Sequence, residues 1–199
     1  HYVGYWKLRS PSNVLFGIGP QGDSAFWVDI NVYAAITRAY DFVASYCKAD
    51  WENNNASLPC PGTQGDDQGY VLRVKAPRNE NGVKANLPGL ITQPRMTNNG
   101  IIRGTYPAFA VKAGDHFRAR VSCRYLAERC DVIFQLDFRT GGKTVTLGSW
   151  HEVYEGRFTD IDIDLSSLAD KTGRFVLTVQ ANGSSKNDEA LWIGPRIMR

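Results

Sequence analysis

Aromatic side chains set in polar turns are the groups in this sequence best placed to meet a ligand. Trp51 stands in an Asn-rich loop, Trp150-His151-Glu152 and Tyr154 follow Gly148-Ser149, read as a turn, and Tyr106 precedes Pro107 in a strand. An aromatic ring stacks on the apolar face of a pyranose while polar neighbours bond the hydroxyls, so Trp150, Tyr154, Trp51 and Tyr106 are the candidates for holding a glycan. Aromatics are core material more often than ligand contacts, and Trp27 and Trp192 are read as core.

Carboxylates offer a second chemistry. Asp66 and Asp67 in Gly65-Asp66-Asp67-Gln68-Gly69, with Asp188 before the last strand, supply the hard oxygens that a structural calcium ion takes at a sandwich rim. The spacing is not that of an EF-hand, and a tight turn accounts for Gly-Asp-Asp equally well. Asp160, Asp162 and Asp164 alternate with Ile161, Ile163 and Leu165. They share one face of a strand at roughly 6 to 7 Å spacing, a solvated acidic face, with Asp164 placed to cap a following helical turn. Enzyme readings lack parts: there is no Gly-x-Ser-x-Gly, no His-Glu-x-x-His and no phosphate-cradling glycine loop. A glycosidase pair drawn from Glu152, Glu155 or Asp160 would have no geometry behind it. The expectation is a chain without a catalytic centre or cofactor of its own, a structural calcium excepted.

Four cysteines fall into two local pairs, Cys47 with Cys60 and Cys123 with Cys130. The histidines His1, His116 and His151 lie out of useful register for zinc, so disulfides are the better reading, with buried free thiols as the alternative.

These residues need elements to position them. Nineteen glycines and nine prolines punctuate the chain, and strand-like segments recur between the turns. Strands are predicted at about 14–18, 25–33, 40–46, 69–76, 101–111, 115–124, 131–139, 143–148, 159–164, 174–181 and 190–198, with long loops over 49–69 and 77–99. Phe117, Ala119, Val121 and Cys123 alternate with His116, Arg118, Arg120 and Ser122, and Val132, Phe134, Leu136 and Phe138 repeat the pattern. One hairpin would pair Val121 with Val132, Ala119 with Phe134 and Phe117 with Leu136, its loop closed by Cys123–Cys130. The fold class is all-β, an antiparallel, jelly-roll-like β-sandwich over 34–199, with an N-terminal β-hairpin appendage over 1–33.

That appendage is too small to stand alone, so it docks on its own sandwich or completes a neighbouring copy by strand addition. Head-to-tail addition does not close and builds a filament. An echo favours the second route: Leu15 to Val28 and Val176 to Ile193 share Gly, Asp, Ala and Trp, as though 1–33 were the last hairpin of a preceding module. Charge excludes less. Twenty-three basic residues against twenty acidic ones give a spread-out +3, which does not indicate nucleic-acid binding. No apolar run reaches membrane-span length, and the opening His-Tyr-Val-Gly-Tyr-Trp reads as the start of a fragment or processed product.

Laid end to end, several motifs carry a resemblance from about Tyr40 to Arg199. They are Ala49-Asp50-Trp51, Leu58-Pro59-Cys60-Pro61-Gly62, Gly69-Tyr70-Val71-Leu72, Gly104-Thr105-Tyr106-Pro107-Ala108-Phe109 and Ala113-Gly114-Asp115-His116-Phe117-Arg118-Ala119. Cys130-Asp131-Val132-Ile133-Phe134, Asp162-Ile163-Asp164-Leu165-Ser166-Ser167-Leu168 and Ala190-Leu191-Trp192-Ile193-Gly194-Pro195-Arg196-Ile197 complete the set. The segment resembles a family of β-sandwich modules of bacterial extracellular and envelope proteins, similar in layout to jelly-roll carbohydrate-binding modules. The resemblance implies an extracellular or cell-surface location and glycan, or further copies of the chain, as partner; it brings no catalytic residues. In a bacterial product the glycosylation-like Asn55-Ala56-Ser57 and Asn182-Gly183-Ser184 are accidental matches.

Overall fold

Alternating apolar and polar runs bounded by Gly, Pro and Asn favour half-buried strands, and strands dominate the computed structural model, which describes residues 2–30 and 36–199. The chain divides into two units, His1–Ile36 and Thr37–Arg199.

The first unit is a ribbon. β1 (Tyr2–Trp6) runs on into β2 (Leu8–Arg9), the chain turns, and β3 (Leu15–Phe16) and β4 (Phe26–Ile30) return. β2 pairs with β3 and β1 with β4, while Ile18 and Ser24 bridge an excursion between the two returning strands. The strand predicted over 25–33 is thus seen over Phe26–Ile30, and its end at 31–33 lies outside the described residues. No described residue of this unit is buried. Trp27, expected in a core, is 62% exposed.

The second unit is an antiparallel sandwich. Its strands are β5 (Arg38–Asp41), β6 (Asp50–Glu52), β7 (Ser57–Leu58), β8 (Tyr70–Val74), β9 (Gly89–Gln93), β10 (Ile101–Ala110), β11 (His116–Cys123) and β12 (Asp131–Thr140). β13 (Lys143–Val153), β14 (Thr159–Asp164), β15 (Thr172–Ala181) and β16 (Ala190–Met198) follow. One sheet runs β13-β12-β15-β10-β6-β7 and the other β14-β11-β16-β9-β8, with β5 also on β16. Inward side chains of both sheets form one core. Phe42 lies edge-on to Tyr106 at 4.8 Å and to Phe117 at 5.4 Å, and Trp192 to Phe134 at 5.0 Å. Such edge-to-face rings add modestly to the burial that drives the packing.

Several expectations need correction. β11 and β12 do not form a hairpin: β11 pairs with β14 and β16, β12 with β13 and β15, in opposite sheets. Two strands facing each other across a core bury the same alternating set as two strands side by side, so alternation alone does not separate the arrangements. Cys123–Cys130, with Cα atoms 5.9 Å apart, therefore joins the two sheets, while Cys47–Cys60 ties β6 and β7 to the preceding helical turn. The echo fails for a similar reason. β15 and β16 lie in different sheets, so residues 176–193 are a crossover and not a terminal hairpin. The predicted loop over 77–99 contains β9, buried throughout between β8 and β16, and β13 continues through Gly148-Ser149 to Val153 with an irregularity in place of a turn.

Candidate functional site

Two of the four aromatic candidates belong to the core. Trp51 is 3% exposed, and its ring lies so close over Gly104 that a Cβ there would meet it at 2.6 Å; its indole N–H donates to the Tyr46 carbonyl at 2.7 Å. Tyr106 is 1% exposed among Phe42, Tyr40 and Trp51, and burial raises its pKa. Neither ring has a face left for a sugar, because β6 and β10 turn both inward. Trp150 and Tyr154 are half-buried and pack against that core. Trp150 stands opposite Phe134 and folds over Gly148, while the Tyr154 hydroxyl accepts from the Leu126 N–H and donates to the Glu80 carbonyl, both at 3.3 Å.

The three calcium candidates are not gathered into one carboxylate cluster. Among the described residues no three His, Cys, Asp or Glu side chains gather to hold an ion. Asp66 accepts the Gln68 backbone N–H at 2.9 Å in a local turn, and Asp67 accepts from the Gln68 amide at 3.1 Å. Asp188 is wholly buried: one oxygen accepts the Asp131 N–H at 3.1 Å and the other has no partner. Desolvation, aided by the Asp131 charge, pushes its pKa up to about 6, so this carboxyl takes up a proton more readily than a solvated aspartate.

A wide concavity lies elsewhere, on the outer face of the β14-β11-β16 sheet. It is a groove of ≈ 740 Å³ between that face and the segment 79–87. Its floor is a charge ladder set by strand register: Arg118 opposes Asp162 and Arg120 opposes Asp160. Arg120 grips Asp160 through two bonds of 2.7 and 2.9 Å, and this holds the carboxyl below its usual range. Asp162 takes Arg118 at 3.0 Å and His116 at 2.7 Å. The acidic face predicted on β14 is therefore not simply solvated, since β11 supplies its counter-ions. Phe158 lies under the Arg120 guanidinium, 3.6 Å from ring centroid to Cζ. Ile193, with Leu87 packed against it, gives the groove its apolar part, whereas Ala119 and Ile161 turn their side chains into the core beneath.

The wall is pinned from below. Glu80, 3% exposed, accepts the backbone N–H groups of Cys123 at 2.8 Å, Glu155 at 2.9 Å and Gly156 at 2.8 Å. Beside it Asn79, which lines the groove, donates to the Val83 carbonyl at 3.2 Å, and its Oδ1 is buried with no partner. The sequence does not single out Asn79 or Glu80, and it shows Asp160 and Asp162 only as a solvated acidic face. The offset between His116-Arg118-Arg120 and Asp160-Asp162-Asp164 was the available signal, as two complementary alternating faces fit one antiparallel pair. A smaller pocket of ≈ 270 Å³ is lined by Arg78, Arg124, Tyr125 and Leu126, but there Arg124 is already engaged by both oxygens of Glu189.

No family model matches the chain, and no curated protein does. Among solved structures, the chain is similar to a CBM51 module from Clostridium perfringens GH95, solved with methyl-galactose, at 14% identity over 66% of this chain and 88% of that one, TM-score 0.45. A structure described as showing the promiscuous specificity of carbohydrate-binding modules of the β-sandwich superfamily matches at 13% identity over 100% and 75%, TM-score 0.49. A CBM61 module with β-1,4-galactotriose matches at 13% over 75% and 87%, TM-score 0.41.

Proposed function

We propose that this chain is a non-catalytic, extracellular or cell-surface module that binds glycan in the groove on the outer face of β14, β11 and β16. The observation that carries this reading is the groove's unmatched polar complement on a fixed frame. Lys84 and Arg196 line the groove as donors without an ion pair among the described residues, and Asn79 beside them keeps a buried acceptor without a donor. A sugar supplies hydroxyls that both give and take hydrogen bonds, with an apolar ring face for Ile193 and Leu87. The groove carboxylates favour binding over hydrolysis. Asp160 and Asp162 are held by arginines, and the two carboxyls with raised pKa, Glu152 and Asp188, do not line the groove. Both cysteine pairs are joined, which suits an oxidising compartment, and no helix among the described residues is long and apolar enough to cross a membrane.

The test is a glycan array and pull-down on insoluble polysaccharides with Asn86→Trp, which fills the groove from an exposed position, and Lys143→Trp on a remote hairpin as control. Binding lost only in Asn86→Trp supports the site. Binding unchanged in that variant removes the groove, and a wild-type chain that holds no glycan removes the function.

One observation favours a second reading, a structural subunit assembled by strand exchange through residues 1–33. The ribbon exposes Tyr2, Tyr5, Trp6, Leu15, Phe16, Trp27 and Ile30, each more than 40% accessible, and such a surface is an association hazard unless covered. Sedimentation of the full chain against one lacking residues 1–36 decides: open polymers lost on truncation support exchange, and a monomeric full chain dismisses it.

A further inference from the structure

The groove floor contains a charge conflict. Arg118 and Arg196 are direct cross-strand partners on β11 and β16. Like charges so placed repel, and an arginine in this position normally finds a carboxylate. Each nearby carboxylate is already committed. Asp162 holds Arg118 and His116, Asp160 is taken by Arg120, and Asp41, opposite Arg196 on β5, bonds Arg38 at 2.6 Å and the Ala44 N–H at 2.9 Å. Arg196 donates only to the carbonyl of Gly194, at 2.7 Å, and makes no ion pair among the described residues. Its guanidinium is half-buried, and burial with Arg38 and Arg118 disfavours its charge more than the nearby Asp41 and Asp162 favour it. Lys84, on the facing wall, likewise has no anionic partner among the described residues. Lining the groove, four basic side chains meet two acidic ones, and both acids are spent.

We infer that the groove selects an anionic sugar residue, whose carboxylate or sulfate is received by Arg196 and Lys84. This rests on the glycan reading above and narrows it. A guanidinium offers a planar fork matched to carboxylate and sulfate oxygens, and a charge-assisted bond there relieves the Arg118–Arg196 repulsion, which a neutral hydroxyl does not.

Calorimetric titration of the full chain with oligogalacturonate and its full methyl ester, and with dextran sulfate and dextran, tests this. The expected result is that one acidic member binds at least about tenfold more tightly than its neutral counterpart, the lower end for a charge-assisted contact. The acidic pair that shows the preference tells carboxylate from sulfate. Arg196→Gln and, separately, the exposed Lys84→Gln should erase the preference, whereas Arg157→Gln, outside the groove, should leave it. Equal binding of acidic and neutral members overturns the anionic selection and leaves glycan binding standing. A preference that survives Arg196→Gln and Lys84→Gln, or that Arg157→Gln reduces as much, assigns it to diffuse charge and also overturns the inference. Failure of every glycan to bind overturns the glycan reading itself.

Discussion

Replacing Glu80 should loosen the wall of the groove from its frame, and the size of the effect follows from its partners. The buried carboxylate accepts three backbone N–H groups at 2.8, 2.9 and 2.8 Å, from β11 and from the turn after β13. A hydrogen bond to a charged group contributes about 1.5 kcal/mol or more net, and an orphaned buried donor costs about 1 to 3 kcal/mol. Allowing for partial relaxation, Glu80→Ala should lose about 4 kcal/mol. Glu80→Gln keeps one accepting oxygen but turns an NH₂ toward a donor, so it should lose about 2 kcal/mol. Urea unfolding followed by tryptophan fluorescence reads both values, with an unchanged slope if the denatured state is unaffected. Hydrogen exchange should show lost protection at the Cys123, Glu155 and Gly156 amides under conditions where β12 and β15 remain protected. If Glu80→Ala stays within about 1 kcal/mol of wild type, or those three amides keep their protection, the carboxylate is not what fixes the wall and the case for a preorganised groove fails.

Other expectations concern single sites. Asp188 has a folded pKa of about 6, above its ordinary 3.8, so the native state holds the extra proton and its stability falls as pH rises from 4 through 6. Asp188→Asn should flatten that decline and add at most about 3 kcal/mol at pH 7.5; a loss of stability at pH 7.5 instead would show that the carboxylate charge is used. Gly104→Ala should cost about 2 to 3 kcal/mol, since the new methyl strikes the Trp51 ring, and a crystal structure of the variant should show that ring displaced. Removing the inter-sheet bridge with Cys123→Ala and Cys130→Ala together should cost about 2 to 3 kcal/mol for so short a loop, measured by thermal unfolding; peptide mapping without reduction should return Cys47 with Cys60 and Cys123 with Cys130. A Cys47–Cys123 crosslink in that map would contradict the sheet arrangement.

Legibility in the sequence followed how local the controlling interaction is. Period-two alternation in residues 116–123, 131–138 and 159–164 gave strands with the right inward faces, because the pleat acts residue by residue. Which strands are neighbours is a long-range matter, and there the reading of β11 and β12 as a hairpin went astray. β9 was lost because Gly89-Leu90-Ile91-Thr92-Gln93 is short, flanked by Pro88 and Pro94, and buried on both faces, which removes the alternation. Trp51 and Tyr106 looked available because their neighbours Asn53, Asn54 and Pro107 signal loops, yet a strand as brief as Asp50–Glu52 suffices to turn an indole inward. The groove depends on two strands more than forty residues apart and on a loop whose anchor, Glu80, is one charged residue among twenty acidic ones.

The position of β16 bears on how this protein reaches its native state. It follows β5, β9 and β11 in the sequence, yet it lies inside their sheet, with β11 on one side and both β9 and β5 along the other. Until residues 190–198 are available, β5, β9 and β11 have no common partner, and their inward apolar side chains wait uncovered. Translation of this unit therefore delivers the organising strand after every strand it organises. Folding must be late and dominated by distant pairings, the regime in which loop closure precedes its reward and collapse is slow. In that interval the early strands are open to the wrong partners, including those of another emerging chain.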